Sequence, residues 1–228
     1  VEMNYKAIDA GKDAIVKIDV PASWKDLKVT KKKTKVNGTR PELVKYVENV
    51  LLPVSNMQGD SLPVSAFVDY ADGTFPQGAA AYEKRGVAVT VPEWIPENCI
   101  QCNNCAYVCP HATIRPFAMD AQEAKKAPKS TKFTAKMIGK GCEDYKFTMA
   151  ISPLDCMGCG LCVNVCPVAI KAKANGTPEK TAIRMVPQAS QADQQAAFDY
   201  AVANVSKKDL PFAEFSVKGS QFNQPLLE

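Results

Sequence analysis

The sequence contains one histidine in 228 residues, two tryptophans and little charge bias, with 28 Lys and Arg against 24 Asp and Glu for a net charge of +4. A lone histidine, His111, leaves no Ser–His–Asp set to argue for. The near-balanced charge gives no electrostatic case for nucleic acid. The apolar runs stop well short of the roughly 18 residues that a membrane span needs. Ile, Leu, Val and Phe together supply only 51 residues, just above the level at which disorder is suspected, so any core is thin. There is no P-loop and no GxGxxG; Gly139-Lys140-Gly141 is a lone glycine pair. The first residues, Val1-Glu2-Met3-Asn4, lack the basic and apolar regions of a signal peptide, and there is no initiator Met. The expectation is a processed chain or a piece of something longer, with the length of one or two domains.

Cysteine is what the chain does have. The nine cysteines are an odd number, which suits a full disulfide framework poorly. Eight of them form two copies of one pattern, C-x2-C-x2-C-x3-C-P: Cys99, Cys102, Cys105 and Cys109 before Pro110, and Cys156, Cys159, Cys162 and Cys166 before Pro167. The repeat extends beyond the cysteines. Pro96-Glu97-Asn98 matches Pro153-Leu154-Asp155, Val108 matches Val165, and Ala112 matches Ala169. Structural zinc normally uses two separated Cys pairs rather than three cysteines in seven residues, so zinc is the weaker reading. A cubane cluster needs four converging thiolates, three of which a tight loop can deliver. In the bacterial two-cluster arrangement the fourth Cys of each run serves the other cluster. This assigns Cys99, Cys102, Cys105 and Cys166 to one 4Fe–4S cluster, and Cys156, Cys159, Cys162 and Cys109 to a second. Gly158 and Gly160 permit the positive φ that turns backbone N–H groups toward sulfur, and Asn103 and Asn104 are read as their counterparts. Cys142 is left over as a small buried or semi-exposed thiol. His111 is read as a surface residue.

Along the chain, Val16, Ile18 and Val20 alternate as a half-buried strand over 14–20, ended by Pro21. Lys31-Lys32-Lys33 lies in a Lys-rich stretch read as a solvated loop, with a docking patch for an acidic protein as the sharper alternative. Thr39, Pro41 and Glu42 start a helix with Leu43, Val47, Val50 and Leu51 on one face, ending at Pro53. Residues 54–80 read as an extended connector with turns. Val87, Val89 and Val91 alternate as a strand leading into the cysteine block. Residues 119–126 suit a helix, and a basic stretch over 129–140 follows. Ser190 is expected to cap a helix running to about Val205, with 210–228 as loop. The thiamine diphosphate pattern is missing, since Gly59-Asp60 lacks its second Gly.

The cysteine block, about 92–186, resembles the dicluster bacterial-type ferredoxins, with 46 residues between Cys109 and Cys156 marking an insertion. A second resemblance is independent of it. Leu62-Pro63-Val64-Ser65-Ala66-Phe67, Asp72-Gly73-Thr74-Phe75-Pro76 and Tyr82-Glu83-Lys84-Arg85 resemble the EKR segment of the pyruvate:ferredoxin (flavodoxin) oxidoreductases, which in that family precedes the two-cluster domain. The resemblance implies an α+β fold: 1–52 as the end of a gamma-type α/β domain, 53–91 as the EKR-type connector, 92–186 as the dicluster domain, and 187–228 as the start of a thiamine-binding domain. It implies oxidative decarboxylation of pyruvate to acetyl-coenzyme A. This segment would relay single electrons to an external ferredoxin or flavodoxin. It also implies a third 4Fe–4S cluster, thiamine diphosphate and Mg2+ in the full enzyme. The partners implied are pyruvate, coenzyme A, the enzyme's remaining domains and a second copy in a homodimer. The setting implied is cytoplasmic and anaerobic. Glu83-Lys84-Arg85 is read as structural rather than catalytic. The alternative is a free-standing dicluster ferredoxin, or the ferredoxin subunit of another 2-oxoacid oxidoreductase.

Overall fold

The computed structural model describes residues 1–26, 36, 38 and 40–223. Lys31-Lys32-Lys33, Thr39 and the last residues, 224–228, fall outside the described residues. The chain divides into two compact units, Val1–Val36 and Asn37–Glu228. In the first, helix α1 (Glu2–Asp13) buries no residue, and a 3-10 turn follows at Ala22–Asp26. Residues 14–20 form no strand; Val16, Ile18 and Val20 are all exposed. Period-two alternation needs a neighbouring strand to accept its hydrogen bonds and apolar face, and the described residues of this unit offer none.

The second unit begins with α2 (Pro41–Tyr46), which runs through a π-turn (Val47–Leu51) into α3 (Leu52–Ser55). Leu43, Val47 and Val50 are buried as the pattern predicts. Pro53 does not end the helix. It sits in the first turn of α3, directly after the π-turn, where a missing N–H and a fixed φ are tolerated. Short 3-10 turns, including Val64–Tyr70 and Ala79–Tyr82, fold the following segment back. Tyr46 anchors it, edge-on to Tyr70 at 4.9 Å and stacked on Phe75 at 5.6 Å.

Four strands and a set of short helices then build the cysteine-bearing body. In chain order these are β1 (Thr90–Trp94), α4 (Asn104–Tyr107), β2 (Ile114–Met119), α5 (Ala121–Lys126), β3 (Lys146–Ile151), α6 (Leu161–Asn164), α7 (Pro167–Ala174), β4 (Ile183–Pro187), α8 (Gln194–Asn204) and α9 (Val217–Phe222). β1 pairs antiparallel with β4, Trp94 opposite Ile183, and β2 pairs antiparallel with β3, Ile114 opposite Ile151. The strand before the first cysteine run therefore pairs with the strand after the second run. The two inner strands pair with each other. Two-stranded ribbons are marginal alone; here they close on a core of Trp94, Ile114, Phe147, Met149, Ile151 and Ile183. Trp94 and Phe222 both meet Phe147 edge-on, at 5.9 and 6.1 Å.

Several local expectations shift. The strand expected from Val87 starts at Thr90, leaving Val87 and Val89 exposed while Val91 is fully buried. The helix expected over 119–126 starts after Met119. It is fixed by a capping box in which Asp120 accepts from the Gln122 and Glu123 N–H groups and Glu123 accepts from the Asp120 N–H. Ser190 does not cap α8; its hydroxyl donates to the Pro187 carbonyl, and the helix begins past Asp193. Residues 210–228 are not all loop. Ser216 accepts from Gly219 N–H and starts α9, whose Phe222 stacks on Phe212 at 5.8 Å.

Candidate metal centre

The two cysteine runs fold into the same local shape. In each, the first cysteine thiol accepts from the N–H two residues on, Gln101 to Cys99 and Gly158 to Cys156, both at 3.4 Å. Two positive-φ residues curl each loop: Gln101 (56°) and Asn103 (63°) in the first, Gly158 (70°) and Gly160 (72°) in the second. Asn103 behaves as expected. Asn104 does not, being helical in α4, and its expected role falls to Gln101. The signal was present in the sequence: the constant offset of 57 residues between the runs aligns Gln101 with Gly158 and Asn103 with Gly160.

Gln101 holds this unfavoured backbone through its side chain. It is 1% exposed. Nε2 donates to Thr134 Oγ1 and to the Lys136 carbonyl, and Oε1 accepts from the Ile138 N–H. The basic stretch over 129–140 thus buttresses the first cysteine loop. Gly158 is constrained differently. Its φ suits glycine, and an added Cβ would lie 3.0 Å from the Thr90 carbonyl oxygen and 3.2 Å from Ala88.

The thiols gather around two cavities. One is lined by Cys99, Cys102, Cys105 and Cys166 together with Trp94 and Ile183. The other is lined by Cys109, Cys156, Cys159 and Cys162 together with Ile114 and Met185. Each cavity therefore draws three cysteines from one run and the last cysteine from the other. α4 and α6 carry the third thiols, Cys105 and Cys162, and α7 starts directly after Cys166. Cys142 lines neither cavity and is fully buried in the core. His111, exposed, stands at the rim of the second cavity. Among the described residues, no three His, Cys, Asp or Glu side chains converge as ligands of a single ion.

The donor set fits an anionic iron–sulfur group. Burial pushes the Cys105 thiol well above its ordinary value, with neighbouring Cys99, Cys162, Cys102 and Cys166 adding to the rise. Burial likewise pushes Cys162 up to about 12, aided by Cys156. Thiolates crowded into such sites need positive charge among them, which ferric and ferrous iron supply. An orphaned donor also faces the first cavity. The Trp94 indole Nε1 is buried and lacks a hydrogen-bond partner of normal geometry. It still opposes the burial that raises the Cys99 thiol, as does the Gln101 N–H. Thr113 Oγ1 lies 3.3 Å from Cys109 Sγ at the second cavity.

Residues 98–170 match a family described as a 4Fe-4S dicluster domain, and residues 30–88 match one named EKR, a domain of unknown function. The whole chain is 45% identical to a pyruvate-flavodoxin oxidoreductase of Enterobacter agglomerans and 42% identical to a pyruvate:ferredoxin oxidoreductase of Moorella thermoacetica. Along its whole length the chain is similar to a segment of pyruvate:ferredoxin and pyruvate-flavodoxin oxidoreductases. It matches a segment of these enzymes, covering 18% of each of those two relatives. It is also 36% identical along its length to the pyruvate dehydrogenase [NADP(+)] of Euglena gracilis, covering 12% of that protein. The chain therefore combines a region matching the dicluster family with one matching the EKR family. No described helix is long and apolar enough to cross a membrane.

Proposed function

We propose that the segment holds two 4Fe–4S clusters and serves as the one-electron relay of a pyruvate:ferredoxin (flavodoxin) oxidoreductase. One cluster is held by Cys99, Cys102, Cys105 and Cys166, the other by Cys156, Cys159, Cys162 and Cys109. The observation that carries this reading is the pair of cavities, each ringed by three thiols of one run and the fourth of the other. When bound, such clusters take up and release single electrons at low potentials set by burial, charge and hydrogen bonds to sulfur. The chain's own residues supply those settings. Trp94, Met149 and Ile183 keep water from the first site, and Ile114 and Met185 from the second. The Gln101 and Gly158 N–H groups orient toward the first sulfur of each run. Cys159 is the exposed ligand, so the second site is the more open to solvent on that side.

The wider reading follows the resemblance. The domain limits are 1–52, 53–91, 92–186 and 187–228, with an insertion over about 116–148 into a compact dicluster fold and 53–91 acting as a connector. The complete enzyme works in the cytoplasm as a homodimer. There it oxidises pyruvate with thiamine diphosphate, Mg2+, coenzyme A and a third cluster, and passes electrons to ferredoxin or flavodoxin. The segment itself converts no substrate. Anaerobically isolated protein is expected to carry about eight irons and eight acid-labile sulfides on these 228 residues. A colourless, zinc-loaded protein overturns the reading.

A further inference from the structure

The two halves of the cysteine repeat differ at the residue just before their first ligand. Asn98 precedes Cys99, and Asp155 precedes Cys156. Asn98 is neutral, and its Nδ2 donates to the Thr181 carbonyl at 2.9 Å. Asp155 places an acidic residue directly before Cys156, and its carboxylate pairs with Lys84. Lys84 is the middle residue of the Glu83-Lys84-Arg85 triplet, in the region matched by the family of unknown function. Its neighbours do something different: Arg85 Nη2 pairs with Glu83 at 3.1 Å, mostly in solvent. Lys84 turns away from them. Its ammonium reaches Asp155 Oδ2 and lies 5.7 Å from the centre of the Phe198 ring, and both partners of the ion pair are only about a quarter exposed.

The residues leading into Cys156 are held from two sides. Gly86 N–H donates to the Leu154 carbonyl at 2.8 Å, and Gln188 Nε2 donates to the Pro153 carbonyl. Ser152 Oγ lies 2.6 Å from Asp155 Oδ2 and 2.9 Å from Gln195 Oε1, which also accepts from the Leu154 N–H. The triplet's lysine is the only cation paired with this carboxylate among the described residues. A partly buried charge beside a redox centre acts through a lower effective dielectric than water. Cluster potential follows local charge and hydrogen bonding.

We propose that Lys84 is a positioning and charge-compensating residue for the second cluster site: it anchors Asp155 beside Cys156 and cancels the carboxylate that would otherwise oppose electron uptake there. The proposal rests on the assignment of a cluster to Cys156, Cys159, Cys162 and Cys109. It gives the EKR triplet a role that the first half of the repeat, with its neutral Asn98, does not need.

The test is an EPR-monitored redox titration of the anaerobically purified, cluster-loaded protein, with the second site's signal assigned by its loss in Cys159→Ala. Lys84→Met is expected to move the second site's potential downward and leave the first unmoved. Asp155→Asn is expected to move it upward, the double variant to return near wild type, and Lys84→Arg to stay near wild type. Unchanged potentials in Lys84→Met with both clusters present, or no upward shift in Asp155→Asn, overturn the proposal. Should Lys84→Met shed second-site iron that Lys84→Arg keeps, compensation by charge is upheld; equal loss from both variants overturns it. An iron count showing no second cluster in the wild type refutes the underlying assignment instead, before any variant is made.

Discussion

Replacing Gln101 separates backbone strain from hydrogen bonding at the first cysteine loop. Gln101 holds φ at 56° and spends its side chain on three hydrogen bonds to Thr134, Lys136 and Ile138. Gln101→Ala removes all three and keeps the left-handed backbone. At about 1 kcal/mol net per bond, the cost is about 3 kcal/mol. Gln101→Gly loses the same bonds but relieves roughly 1 kcal/mol of left-handed strain. The glycine variant is therefore the more stable of the two, although it removes more side chain. Cluster loss is irreversible, so the operational measure is a rate. The rate of anaerobic cluster bleaching in guanidinium is expected to rise by up to about a hundredfold in Gln101→Ala and by about fivefold less in Gln101→Gly. Bleaching of Gln101→Ala at the wild-type rate, or faster bleaching of the glycine variant, refutes the reasoning.

Glu123 accepts from Lys208 Nζ at 2.7 Å and from the Asp120 and Ser206 N–H groups. Burial pushes its carboxyl up, but Lys208 and the two N–H groups outweigh that and leave it below the ordinary value. Its stabilisation is therefore complete above the ordinary carboxylate pKa of about 4.5 and lost as pH falls through the lowered folded value. Glu123→Gln is expected to cost about 2 kcal/mol at neutral pH and to erase that acid-side loss, read as hydrogen exchange of amides 120–126; unchanged protection at pH 7 contradicts it. Gly158→Ala meets the Thr90 carbonyl and a positive φ, so selective loss of second-site iron is expected. Gly160→Asn, which copies Asn103 and has open space around it, is expected to retain both clusters. Equal iron in the two glycine variants sinks the steric part of this account.

The site was far more legible in the sequence than the scaffold around it. Cysteine spacing is a local property of the chain, and a thiol three residues from the next leaves few shapes for the loop. The offset of 57 residues even carries the positive-φ positions, once Gln101 is aligned with Gly158 rather than passed over for Asn104. Helices with strong end signals were also readable. The helix suggested over 119–126 forms, and Asp120 and Glu123 fix its start with a capping box. What failed depended on partners distant in sequence. The alternation of Val16, Ile18 and Val20 implies a strand only where another strand lies alongside. Ser190 donates to the Pro187 carbonyl, a local bond that competes with capping. α9 forms where Phe222 can stack on Phe212 and meet Phe147, residues 10 and 75 positions away. No local pattern announces such a contact. The Lys84–Asp155 pair, 71 residues apart in the chain, was invisible for the same reason.

The crossed use of the last cysteine in each run is the central claim, and exchanging those two residues tests it most directly. Cys109→Ala and Cys166→Ala are to be compared by EPR and Mössbauer spectroscopy of anaerobically prepared protein. The account predicts that Cys109→Ala damages the cluster held by Cys156, Cys159 and Cys162, and that Cys166→Ala damages the one held by Cys99, Cys102 and Cys105. Damage by each variant to the cluster of its own run contradicts it.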